Sequence, residues 1–512
     1  MSFERCAGIL LHPTSLPGKF GIGDLGKEAY KFIDFLVKSE QSLWQVFPLG
    51  PTGYGDSPYQ CFSAFAGNPL LISPDLLVED GLLTNEDIDN YPNLDTSHID
   101  FGKVINIKTE LLKKSYNNFI NKRDEFTEEF NKFINTNSSW LKDFSLFMSV
   151  KEYHGGIAWT DWTPDIAFRQ EGAVEKWTDK LSDKIDYFNY IQFIFDRQWM
   201  KVKEYANKNY IKIVGDLPIF IAYDSADLWS NKELFTVDEK GKLLTCAGVP
   251  PDYFSPTGQL WGNPLYRWDE MEKDDFLWWQ KRFSKLFEMV DIVRIDHFRG
   301  FDAFFEIPGD APTAQFGKWV KAPGEKLFKT IKEKLGNAPI LAEDLGLITE
   351  SVVELRDKFD FPGMKIMQFA FGKEGEKKFL PHNFVPNCVV YTGSHDNDTT
   401  RGFFEKAKQE DPDLFKWTCE YLGYYGENIC YEIMKEAYKS VANIVIVPLQ
   451  DVLNLGSDAR MNFPGKLGGN WTWRFDKHQV NDHTAEMLKF LVEIYERYPN
   501  TKKKTEYQVI EY

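Results

Sequence analysis

Apolar residues come along this chain in short unbroken runs rather than in strict alternation with polar ones. Eight of these runs read as interior strands: Gly8–Leu16, Leu43–Leu49, Ile211–Ile221, Ile292–Phe298, Pro339–Gly346, Lys365–Phe371, Cys388–Asp396 and Asn443–Asp451. A strand apolar on both faces belongs to a parallel sheet covered by helices on each side. Most runs end in Pro, Gly, His or Asp, and amphipathic stretches such as Gly324–Leu335 and Ser351–Lys358 read as crossover helices between them. Eight strands alternating with helices predict an α/β fold, a closed (β/α)8 TIM barrel. No Gly-x-Gly-x-x-Gly turn follows any run, which argues against a dinucleotide-binding sheet.

The spacing of the runs is uneven. Roughly 160 residues separate the second from the third, far more than one helix and its loops require. That stretch holds helix-like segments at Lys103–Phe119, Phe126–Phe133 and Tyr190–Tyr205. It predicts mostly helical inserted subdomains over the C-terminal face of the barrel, at roughly 50–185, with a second excursion at roughly 223–268. The rest reads as a single catalytic domain spanning 1–512, closed by a helix near Thr484–Tyr498 and without a C-terminal β-sandwich.

Composition narrows the partners. Of the 512 residues 43% are hydrophobic, ample for a large core, and the formal net charge is −17. No Lys/Arg-rich stretch offers a surface for phosphates, so neither nucleic acid nor a membrane is an expected partner. The start of the chain lacks the basic-then-apolar pattern of a signal peptide, and no apolar stretch approaches the ~18 residues that span a bilayer. The six cysteines are scattered, with no Cys-x-x-Cys and no histidine at ligand spacing. Reduced thiols in a cytoplasmic protein, with no metal site, are the expectation.

Three carboxylates stand where apolar runs give way to polar residues: Asp296, Glu343 and Asp396. In a parallel barrel the chemistry gathers at the C-terminal ends of the strands. Arg294, two residues before Asp296, shares its face of the strand, and a guanidinium there keeps a carboxylate charged and oriented, as a glycosyl nucleophile must be. His297 follows directly. Glu343 leaves an apolar run for a partly dehydrated pocket, which favours the neutral form a general acid needs. Asp344 beside it points to the other side; the longer side chain favours Glu343, but chemistry alone leaves both open. His395 and Asp396 at the seventh strand can bond two neighbouring sugar hydroxyls, and Asp216, ending the third, joins the same rim. Gly248–Pro264 is too rich in Pro and Gly for a helix or strand, yet carries Tyr253, Phe254 and Trp261, whose flat rings suit the apolar faces of glucose.

Several longer motifs then make a resemblance specific. From His12-Pro-Thr-Ser-Leu-Pro17 and Gly53-Tyr-Gly-Asp-Ser-Pro-Tyr-Gln60, through Gly248–Pro264, to Asn462-Phe-Pro-Gly465 and Asn470-Trp-Thr-Trp473, the chain resembles glycoside hydrolase family 77. These are the amylomaltase-type 4-α-glucanotransferases of the α-amylase clan. The resemblance implies Asp296 as nucleophile, Glu343 as acid/base and Asp396 as transition-state stabiliser, and so chooses Glu343 over Asp344. It implies Tyr59, Asp216, Arg294 and His395 around the donor sugar, Tyr253, Phe254, Gln259 and Trp261 along the glucan path, Asn462 as a further substrate-binding residue, and Tyr54 at a second, peripheral glucan contact. The implied reaction is retaining glucan transfer on maltooligosaccharides and α-1,4-glucans, with no cofactor. Three other readings stand beside it. An α-amylase-like hydrolase would use the same acids and let water resolve the intermediate. A sugar-phosphate or Schiff-base barrel enzyme would need a phosphate loop or a strand-end lysine. A glucan-binding protein without catalysis would not need all three acids.

Overall fold

The eight runs form eight parallel strands that close into one barrel in chain order. They are β1 (Cys6–Leu10), β2 (Leu43–Gln45), β3 (Lys212–Pro218), β4 (Ile292–Asp296), β5 (Ile340–Ala342), β6 (Gly363–Ile366), β7 (Cys388–Tyr391) and β8 (Ile444–Pro448). The computed structural model describes residues 3–499 except 93, 252–254, 373–374, 425, 427 and 467. Every position of β1, β2, β7 and β8 is buried, as expected for strands sandwiched between a packed interior and an outer layer of helices. Gly8 is required where β1 meets β2, because a Cβ there would lie 2.4 Å from that of Leu43.

The ladders are shorter than the apolar runs, since each chain leaves its neighbours before its apolar residues end. β5 stops at Ala342, so Glu343 is the first residue beyond the strand. The sixth strand begins earlier than the sequence predicts, because Pro362 already accepts from Ala342 N at 2.9 Å, and it turns into a short 3-10 helix at Met367–Phe369. The interior is not wholly apolar. Tyr391 of β7 donates to Gln45 of β2 at 2.7 Å, and the Arg294 guanidinium of β4 lies 3.3 Å from the sulfur of Met364 on β6.

Between β2 and β3 the three predicted helices form as Phe101–Asn121, Arg123–Thr136 and the 27-residue Ser182–Lys208, and a helix not predicted, Ser138–Tyr153, lies between the last two. The second excursion differs from expectation. Within it Thr245–Val249 and Gln259–Pro264 pair antiparallel, so Gly248–Pro264 belongs to a hairpin and is not an irregular loop. Gly248 is required in the ladder, because a Cβ there would meet Gln259 O at 2.1 Å. Ala303–Pro308 and Lys318–Lys321, which the sequence reading did not find, complete a four-stranded sheet ordered 259–264, 245–249, 303–308, 318–321. This sheet therefore mixes residues from before and after β4. Among the described residues no helix is long and apolar enough to cross a membrane.

Candidate active site

Barrel closure brings β3, β4 and β5 side by side, and their polar residues meet around one guanidinium. Arg294 of β4 is 4% exposed; its Nη1 bonds Asp216 Oδ2 at 2.5 Å, and its Nη2 lies 3.3 Å from Asp296 Oδ1 and 3.5 Å from Glu343 Oε2. The Asp296 and Glu343 oxygens are thus no farther apart than the sum of the last two contacts, 6.8 Å. His297, in the left-handed region at φ 53°, folds the chain back so that its amide donates to Glu343 Oε2. A non-glycine residue held there costs about 1–3 kcal/mol, and the backbone donor it aims at the acid is what that strain secures.

Three carboxylates around one largely buried cation cannot all ionise cheaply. Burial, followed by the charge of Asp296, raises Glu343 well above the usual carboxyl range, against the pull of Arg294. Burial also raises Asp216, with Arg294 opposing. For Arg294 burial would lower the guanidinium, but Asp216, Glu343 and Asp296 overcome it and hold it fully protonated. His297 is pushed down to about 4, by burial more than Asp296 can offset, and is neutral near pH 7. The arrangement therefore offers a protonated carboxyl beside one held against a permanent cation.

Asp344, the competing choice, is occupied elsewhere. Its carboxylate binds Arg356 on the outer helix Glu350–Lys358 and accepts from Met364 N at 2.7 Å, so it faces away from Glu343.

On the opposite rim Asp396 is half exposed, and its Oδ1 accepts from Asn462 Nδ2 at 2.6 Å. Arg460 donates to Asp396 O at 2.6 Å, and His395 Nε2 lies 3.5 Å from Asp396 Oδ2. Buried Asp451 pins both ends of this loop, accepting from the hydroxyl of Thr392 and from the amide and hydroxyl of Thr400. Tyr59 stacks on His395 with centroids 5.0 Å apart, and Trp471 closes the wall 5.7 Å from each ring. Trp471 was not singled out from sequence, although the motif Asn470-Trp-Thr-Trp473 contained it; Arg460 and Asp451 left no signal of their own.

Asp216 lies lower than expected. Its side chain is 0% exposed, under Arg294 and the Tyr59 hydroxyl that donates to it at 2.8 Å, so it braces both from beneath. Trp261 meets His297 edge-on at 4.9 Å and donates to Gln259 at 3.1 Å, bringing the hairpin against the acids. Tyr253 and Phe254 lie outside the described residues. Tyr54 is 65% exposed, above the buried Lys151–Asp224 pair, whose ammonium sits 5.9 Å from its ring. Among the described residues no group of three or more His, Cys, Asp or Glu could hold a metal ion.

A sequence profile described as 4-alpha-glucanotransferase matches residues 11–479. The chain belongs to the 4-alpha-glucanotransferase family. The family's 4-alpha-glucanotransferase from Synechocystis sp. is 48% identical over 499 residues, covering 96% of this chain and 98% of that one. The one from Thermus thermophilus is 46% identical, covering 97% and 100%. A solved family structure, amylomaltase from Streptococcus agalactiae in complex with acarbose, superposes with a TM-score of 0.93 at 41% identity, over 97% of this chain and 100% of that one.

Proposed function

We propose that the whole chain works as one catalytic unit that transfers a segment of an α-1,4-glucan to the 4-hydroxyl of another glucan or of glucose, with retention of configuration. Glu343 protonates the departing glycosidic oxygen while Asp296 attacks the anomeric carbon to form a covalent glucosyl–enzyme. Glu343 then takes the proton of the acceptor 4-hydroxyl as that oxygen displaces Asp296. Asp396 and His395 bond the ring hydroxyls of the distorted donor sugar, Asn462 orients Asp396, and Arg294 orients Asp296. Asp216 positions Arg294 and Tyr59, whose ring faces the donor. Trp261 and Gln259, with Tyr253 and Phe254, line the glucan path, and Tyr54 makes a peripheral contact.

One observation carries the reading: Arg294 Nη2 touches both Asp296 and Glu343. The resulting 6.8 Å limit accommodates the ~5–5.5 Å carboxyl spacing of retaining enzymes and reaches only the lower edge of the ~6.5–9.5 Å used by inverting ones. We assign the protein to the cytoplasm, with neither nucleic acid nor membrane as partner, in keeping with its net charge of −17 and six free cysteines. The test is incubation with maltotriose. Transfer yields glucose and a ladder of longer maltooligosaccharides at a nearly constant number of reducing ends; a steady rise in reducing ends without longer chains identifies a hydrolase and refutes the proposal.

A further inference from the structure

The two rims of the site are held by different means. Asp296 and Glu343 share the buried Arg294 guanidinium. Asp396 stands half exposed on the loop between β7 and the helix Thr400–Glu410, where a carboxylate left to itself turns among several rotamers. A stabilising group helps most when it already points at the place where charge develops, so this side chain must be set before the sugar distorts. The loop after β8 sets it.

That loop grips the Asp396 segment at its ends and in its middle. Asp451 holds Thr392 before it and Thr400 after it. Ser457 donates to Asp398 Oδ2 at 2.8 Å, and Gly402 leaves room for this approach, since a Cβ there would lie 2.2 Å from Ser457 Oγ. Arg460 takes the middle. Its Nη2 donates to Asp396 O at 2.6 Å and its Nε to Asn462 O at 2.8 Å. Asn462 returns two bonds to the same segment, from its amide to His395 O at 3.1 Å and from Nδ2 to Asp396 Oδ1 at 2.6 Å. The guanidinium is thus fastened to the main chain of the residue that carries the carboxylate and to that of the residue that bonds it.

Arg460 is itself held in place. The Phe463 ring centroid lies 4.4 Å from its guanidinium carbon, and Gln450 donates to Ala459 O at 3.3 Å, tying the neighbouring backbone to the start of the β8 loop. A planar guanidinium presents its N–H groups in a rigid fork and holds two carbonyls at a fixed spacing, which a single ammonium cannot do. Because Arg460 binds Asp396 through the carbonyl oxygen, it directs the side chain and leaves the carboxylate to Asn462 and the sugar.

We propose that Arg460 is the positioning residue of the transition-state stabiliser. It fixes the spacing of the Asp396 and Asn462 main chains, keeps the Asp396 carboxylate on the Asn462 amide, and so serves the distorted sugar without touching it. The inference rests on Asp396 as the stabiliser, as assigned above.

Fluoride release from α-maltotriosyl fluoride in saturating maltose keeps slow variants measurable, because this donor needs no acid. Arg460→Ala is expected to lower kcat about a hundredfold, the usual cost of misplacing a group by about 1 Å. KM should stay within about twofold, since the bonds lost are those made to the distorted ring and not to the resting substrate. Arg460→Lys, which serves one carbonyl but not both, should recover part of the loss. A double-mutant cycle decides the route: in an Asp396→Ala background, Arg460→Ala should cost less than about threefold more, because no carboxylate is left to place. An equal loss of kcat in the two backgrounds overturns the proposal, as does a raised KM at unchanged kcat. If urea unfolding shows that Arg460→Ala does not fold, the same cycle with Arg460→Lys is read in the same way. Failure of the Asp396 assignment shows separately, as undiminished kcat in Asp396→Ala alone.

Discussion

Replacing Glu343 by Gln asks whether this carboxyl is held neutral by its surroundings. The folded site raises it well above 4.5, its ordinary value, through burial first and the charge of Asp296 second. Well below pH 4.5 both the folded and the unfolded chain hold the proton, and the group adds nothing to stability. Above it the unfolded glutamate ionises while the folded one stays protonated, so the folded state binds more protons and stability falls as pH rises. The fall is at most about 1.4 kcal/mol per pH unit and ends once pH passes the raised folded value. Glutamine has no proton to lose and is exempt. The stability of Glu343→Gln relative to wild type should therefore climb with pH above 4.5 until the raised folded value is passed. Urea unfolding at half-unit pH steps, followed by tryptophan fluorescence, reads the difference as a widening gap in midpoint at constant slope. Turnover of maltotriose should meanwhile fall by ~10²–10⁴, the usual worth of a general acid. A gap that stays constant from pH 5 to 7 would refute the protonated resting state, whatever the activity does.

Asp296→Asn should remove at least ~10³ of turnover with the urea midpoint little changed, because it deletes an obligatory covalent step at a partly exposed position; unimpaired turnover rejects the nucleophile. Products followed by NMR before mutarotation should be α-anomers, and β-anomers would mean an inverting arrangement. Asp216→Ala strips buried Arg294 of its nearest partner and should cost about 3 kcal/mol, the lower part of the range for breaking a buried pair, since Asp296 and Glu343 still face the guanidinium; a loss below 1 kcal/mol in urea unfolding contradicts the bracing role. Trp261→Ala, by opening the hairpin side of the site to water, should raise the hydrolytic fraction more than it slows cleavage, measured as reducing ends gained per bond broken.

What could be read without tertiary structure followed from local rules. Runs buried on both faces announce parallel strands, and polar residues at their ends announce a C-terminal face, so the barrel and the acids at its rim were legible from hydropathy and chemistry, though the choice between Glu343 and Asp344 was not. The helices of the first insertion carry their own period. The strands 303–308 and 318–321 do not: 303–308 joins the sheet through 245–249, on the other side of β4, and a ladder between segments so far apart leaves no mark in either one. The Gly- and Pro-rich hairpin looked irregular because its own ladder is short and carries a register shift, and 303–308 flanks it only in the folded chain.

The sequence by itself determined which groups are available: one arginine two residues before an aspartate, a glutamate just past an apolar strand, a histidine and an aspartate after another. Only the closed barrel decided what each group does. Closure puts Arg294 inside among Asp216, Asp296 and Glu343, and turns Asp344 out towards Arg356. It sinks Asp216 under Tyr59 and lets the strained His297 amide reach Glu343. The physical reason is that charge state and orientation depend on burial and on neighbours in space. Those neighbours come from strands dozens of residues apart, brought together only when the sheet joins its first strand to its last.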